Sequence, residues 1–211
     1  MSASRVNMDM SMSEMQDVSM QGDLTGMDFV DRIPGWFAAE NRDTLSSLIA
    51  KHSVTSVIEI GSFLGKSAVW FGLHPEITEI FCVDRWFEFA ETANSNNLVS
   101  TLTRWGLPRD FFHLFRDNIL AAGLFDKVIP IRGDSRDVHP LVTQCDLVYI
   151  DGSHDYAGCR SDVQLYGPKA RKVICGDDFD DVEGWGVRRA VLDVVGPVKS
   201  KGRFWWVEVQ S

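Results

Sequence analysis

Basic residues are in short supply: 21 lysines and arginines stand against 30 aspartates and glutamates, for a net charge of −9. A broad phosphate-tracking surface is therefore not expected, because nucleic-acid binders carry a basic face. Cysteine is sparse too, with four residues and no CxxC pair. Cys82, Cys145, Cys159 and Cys175 are widely spaced and three fall inside strand-like runs, which reads as buried, reduced thiols of a cytoplasmic protein and not as a disulfide or zinc framework. No apolar run approaches the roughly 18 to 20 residues that span a bilayer, and no apolar segment near the N-terminus marks a secretory leader. Internal repeats are absent. Methionine is missing after Met27: all seven lie in Met1–Met27, among Ser, Asp and Gln and without hydrophobic periodicity. That composition predicts a disordered tail over residues 1–28 and one domain over 29–211.

What remains is an ordinary core-forming chain, 45% hydrophobic and 24% charged, long enough to bury one sizeable core. Val57 to Ser67, VIEIGSFLGKS, runs from a β-branched apolar stretch into a glycine-bearing turn and then the apolar Ala68–Leu73. This is the pattern of strand, loop and helix; Gly61 and Gly65 would let the backbone approach a ligand, and free helix amides would favour its polar groups. Short apolar runs recur at Thr55–Ile60, Glu79–Asp84, Val128–Arg132, Cys145–Ile150 and Lys172–Gly176, as covered parallel strands should. Helical patterns separate them. The spacing predicts an α/β fold with a doubly wound, Rossmann-like, mostly parallel seven-stranded sheet, its last two strands an antiparallel hairpin over Gly196–Ser200 and Arg203–Val209. Helices are expected at Ala39–Lys51 and Val187–Val195. Trp205 and Trp206 should point to opposite faces, and Trp86 to Arg109 is long enough to form a partial lid.

In such folds ligands bind beyond the carboxyl ends of the strands. Asp84 ends the second strand, where a carboxylate can hold both ribose hydroxyls. Asp134 and Ser135 follow the third, placed to meet an adenine amino group, to cap the next helix, or both. The densest group is Asp151-Gly152-Ser153-His154 after the fourth strand together with Asp177-Asp178 after the fifth. If those strands are neighbours, the carboxylates converge, and converging like charges need a cation or a proton; Asp151 with Asp177 or Asp178 would suit Mg²⁺. His154 stands where it could take a proton from a hydroxyl near neutral pH.

The series VIEIGSFLGKS, FCVDRW, IRGDS, YIDGSHDY and ICGDDF resembles the class I S-adenosylmethionine-dependent methyltransferases over about Ile33 to Val209. It is most similar to a small bacterial branch that includes metal-dependent sugar and natural-product O-methyltransferases. The resemblance implies that Glu59, Gly61, Ser62 and Gly65 surround the methionine part of the cofactor and that Asp84 holds the ribose. It implies Asp134 and Ser135 beside the adenine, with Arg85 or Trp86 packed on its face. It also implies a metal on Asp151 with Asp177 or Asp178, and His154 as base. One departure is plain: the macrolide-sugar enzymes carry a large extra N-terminal region, and only a short tail stands here.

The expected activity is thus methylation of a hydroxyl on a sugar or similar small metabolite, without nucleic-acid or membrane partners and with self-association left open. Two competing readings are weaker. An NAD-dependent oxidoreductase would want GxGxxG where Gly61-Ser62-Phe63-Leu64-Gly65 stands. A non-catalytic cofactor-binding relative would keep the motifs without turnover.

Overall fold

The computed structural model describes residues 26–86 and 110–209. Strand β1, Ser56–Ile60, is buried at all five positions, as a strand between two neighbours and under helices on both faces must be. The other strands are β2 (Glu79–Asp84), β3 (Val128–Arg132), β4 (Cys145–Ile150), β5 (Ala170–Gly176), β6 (Lys199–Lys201) and β7 (Phe204–Glu208). They form one seven-stranded sheet in the order β3-β2-β1-β4-β5-β7-β6. Strands β1 to β5 pair in parallel, whereas β7 is antiparallel to both β5 and β6. The sheet runs outward in both directions from β1 and β4, so the crevice between their carboxyl ends is the switch point where such folds bind ligands.

Helices α1 (Gly26–Arg32), α2 (Ala39–His52), α3 (Lys66–Gly72) and α4 (Phe111–Ala121) cover one face; α5 (Ser135–Val138), α6 (Tyr156–Tyr166) and α7 (Val187–Val195) cover the other. Two core clusters result. Val57, Trp70, Phe71, Phe115 and Tyr149 fill the first, and Ile58, Val148, Tyr166, Val191 and Trp205 the second. Alternation along the strands separates Val57 from Ile58, and it likewise sends Trp205 to one cluster and Trp206 to the other. All four cysteines are free and buried. No helix among the described residues is long and apolar enough to cross a membrane.

Several boundaries differ from expectation. Helix α1 begins at Gly26, ahead of the expected start of the domain; the rest of the tail, residues 1–25, and the expected lid, residues 87–109, lie outside the described residues. Strand β5 starts two residues early, at Ala170, and the hairpin strands are shorter than expected, Lys199–Lys201 and Phe204–Glu208, with Gly202 at φ 58° in the turn. Strand β3 is not covered: it is an edge strand with Ile129 39% exposed, and its Pro130 suits an edge because it donates no hydrogen bond.

The glycine loop also has a different reason for its glycines. Gly61 sits at φ +92°, and a Cβ there would lie 2.2 Å from the Asp151 carbonyl oxygen. Gly65, at φ +85°, faces Phe115, 3.0 Å from where its Cβ would be. Both positions are demanded by contact of the chain with itself. Replacing Gly61 with Ala should therefore cost at least about 2 kcal/mol of stability. Gly167→Ala, whose new Cβ would meet only Ile174 at 3.6 Å, should cost less than about 1 kcal/mol. Urea denaturation of the two variants measures the contrast.

Candidate active site

The strand ends are brought level by a row of backbone hydrogen bonds. Gly133 N donates to Asp84 O at 3.0 Å, Gly61 N to Val83 O at 2.9 Å, Asp151 N to Ile60 O at 2.9 Å and Asp177 N to Ile150 O at 3.2 Å. The residues that follow four strands thus open onto one cleft of about 2010 Å³. That is roughly twice the largest ordinary small-molecule site, enough for a cofactor and an acceptor together.

At one end of the cleft lie Asp84, Arg85, Asp134 and Ser135. Asp84 accepts from Phe63 N and Trp86 N, both at 2.8 Å. Burial raises its pKa and these backbone donors oppose the rise. Asp134 caps α5 by accepting from Arg136 N at 3.1 Å, and the Arg136 guanidinium forks onto it at 2.8 Å twice. That fork holds the Asp134 carboxyl down at about 2. Arg85 stands 3.8 Å from the same carboxylate. Ser135 Oγ donates to Asp162 Oδ1 at 2.5 Å.

Two residues assigned to the cofactor sit deeper than expected. Glu59 is fully buried and is not among the residues lining the cleft. Alternation along β1 turns it with Val57 toward the α3 face, where Cys82 Sγ donates to its Oε2 at 3.5 Å. Burial raises its pKa. Trp86 reaches the cleft but is only 3% exposed; its ring packs against Phe112 and Phe115 at 5.0 and 4.7 Å, and Nε1 donates to Phe63 O at 2.6 Å. Ser62 lines the cleft, and its buried Oγ finds no partner among the described residues.

The other end holds the acids. One ligand atom from each of Asp151, His154 and Asp178 lies within 4.8 Å of the other two. His154 Nε2 is 2.8 Å from Asp178 Oδ2, the imidazole stacks on Trp185 at 4.7 Å, and Gly186 N donates to His154 O at 2.8 Å. Asp177 is drawn away from this group: buried Asn41 on α2 donates to its Oδ2 at 2.7 Å, and Asp178 N donates to its Oδ1 at 2.8 Å. Burial, then the charges of Asp177 and Asp178, push the Asp151 carboxyl well above the ordinary range. Burial also raises Asp177.

Asn41, Asp162, Trp185 and Arg203 all line the cleft, and only Trp185 has any sequence signal, as an aromatic in a loop after a strand end. Asp162 is buried and its carboxyl is pushed up to about 6 by burial. Its ordinary pKa is about 3.9, so across the window up to about 6 the folded chain binds its proton more tightly than the unfolded chain. Stability contributed by this group therefore falls as pH rises through the window. Asp162→Asn removes that loss, and its stability relative to the parent should rise by on the order of 2 kcal/mol between about pH 4 and pH 7. Denaturant titrations at the two pH values give the difference.

Residues 58–179, more than half of the chain, match the family model of a methyltransferase domain. No curated protein matches the sequence. Among solved structures, an O-methyltransferase from Bacillus cereus in complex with SAH is similar at TM-score 0.62 and 16% identity, over 94% of this chain and 96% of that one. The O-methyltransferase TomG from Streptomyces achromogenes, involved in tomaymycin synthesis and in complex with SAM, is similar at TM-score 0.61 and 15% identity, over 93% and 95%. Cofactor-bound Rv0187 from MTB gives 0.60 and 20%, over 92% and 94%. At these identities the neighbours speak for the fold, and the family model speaks for the rest. The chain belongs to the methyltransferase-domain family, as the resemblance carried by its strand-end motifs implied.

Proposed function

We propose that the protein is an S-adenosylmethionine (SAM)-dependent O-methyltransferase acting on a hydroxyl of a sugar or related small metabolite. The observation that carries this reading is the meeting of Asp151, His154 and Asp178 in a cleft that also holds Asp84, Asp134 and Ser135. Neighbours of the same fold hold SAH or SAM. The chain offers matching groups: the unpartnered, buried Ser62 Oγ in the glycine loop, the Asp84 carboxylate toward a ribose and the Ser135 edge toward a purine. A cytoplasmic setting fits the four free thiols.

Methyl transfer is an in-line displacement, so the protein must aim an acceptor oxygen at the methyl carbon and take its proton. His154 is the base. Its Nε2 is engaged by Asp178 at 2.8 Å, which leaves Nδ1 for the hydroxyl proton, while the stack on Trp185 holds the ring plane. The donor set also fits a divalent cation, because Asp151 is a buried acid among acids. Asp151 and Asp178 would hold Mg²⁺, which would supply Lewis-acid polarisation of the acceptor oxygens.

Calorimetric titration with SAM, with Mg²⁺ and with a chelator, should give binding to the parent protein. His154→Ala and Asp151→Asn should keep that affinity within about threefold yet lose at least about 100-fold in turnover, followed as SAH release with a panel of hydroxylated small molecules. Full turnover in both variants would remove these residues from the chemistry, and no SAM binding by the parent protein would overturn the reading as a whole.

A further inference from the structure

The cleft contains a cation that the reading above leaves unused. Lys66 is the first residue of α3, directly after Gly65, and it lines the cleft. It is half-buried, and neither a hydrogen bond nor an ion pair engages its side chain among the described residues. Burial pushes its pKa down. The acid that opposes this, Asp31, is paired with Arg42 at 2.6 Å, and Arg42 adds a like charge. The connector between α1 and α2 passes directly over this lysine: a Cβ on Gly35 would lie 3.8 Å from Lys66 Cβ and 3.6 Å from the Phe63 ring. The stem of this side chain therefore starts between that connector and the glycine loop.

The other cations lining the cleft are placed differently. Arg85 and Arg136 stand against Asp134, and Arg203 is held by Asp180 at 3.0 Å. Lys201 lies on β6, four strands from β1 in the sheet. A half-buried ammonium without an ion-pair partner is costly to maintain, and in this cleft it marks where a ligand's negative charge belongs. The cofactor of the proposed reaction has one such group, the α-carboxylate of its methionine part.

We propose that Lys66 is the charge partner of that carboxylate and so sets the preference of the site for a cofactor with an intact amino-acid end. This rests on the SAM reading, and the test separates the two. Dissociation constants for S-adenosylhomocysteine and for methylthioadenosine, which keeps the adenosine and sulfur but lacks the amino-acid end, are measured for the parent protein, Lys66→Met and Lys66→Arg. Loss of one charge-assisted hydrogen bond predicts about 10- to 100-fold weaker binding of S-adenosylhomocysteine by Lys66→Met, with methylthioadenosine changed less than about threefold. Unchanged methylthioadenosine binding also reports that the variant is folded. Lys66→Arg should recover most of the loss. Equal weakening of both ligands, or no weakening of either, overturns the assignment of Lys66 alone. A parent protein that binds neither ligand overturns the SAM reading and this proposal with it.

Discussion

The structure depends on the approach of two strand ends at one point, where Gly61 passes the Asp151 backbone so closely that no side chain fits. Because Asp151 N reaches Ile60 O there, the β1–β4 pairing continues to the last residue of each strand. That rung keeps the glycine loop and the acid-bearing loop in one register. Slipping the pairing by one residue would exchange the two faces of β1, sending Glu59 and Val57 into the opposite cluster and Ile58 and Ile60 out of it. The cleft is therefore a consequence of core packing, set by the same alternation that sorts the two hydrophobic clusters.

Within that frame, three adjacent acids have three different situations. Asp177 has both oxygens occupied, by Asn41 and by the Asp178 amide, and works as a tie between α2 and the end of β5. Asp178, in a left-handed conformation at φ 58°, turns its carboxylate the other way, to His154. Among the described residues, the Asp151 carboxylate accepts from the Tyr149 hydroxyl alone, at 3.4 Å. The doubled acid at the end of β5 is thus a division of labour: one member fastens the backbone, and the other meets His154.

Much of this was legible in the sequence because buried parallel strands spell themselves out. The boundaries of β2, β3, β4 and α7 agree with the apolar runs to the residue; for β2 and β4 the reason is that a strand covered on both faces changes from apolar to polar where it leaves the sheet. Its last acid is then easy to name, and Asp84, Asp134, Asp151 and Asp178 all line the cleft. The partners of those acids were not legible. Asn41 lies 136 residues from Asp177, and nothing local distinguishes it from any other helix asparagine. The sequence also cannot show that Gly61 yields to a neighbouring strand, or that Trp86 spends its ring on Phe112 and Phe115. These are contacts between segments, whereas a motif records only one segment.

The distribution of compensated charge along the cleft is the last constraint. Asp134 is neutralised by the Arg136 fork, whereas Asp84 is held in place by two backbone amides. Asp151 has no cation of its own, and burial together with Asp177 and Asp178 favours its protonated form. Such a group gives up its proton when positive charge arrives, so binding of a cation there is coupled to proton release. Arg203, 3.8 Å from Asp178, already lends this end some positive charge, and a sulfonium or a divalent ion would add to it. Lys66 differs from the other cations of the cleft, since it opens α3 directly after the glycine loop and no ion pair engages it among the described residues.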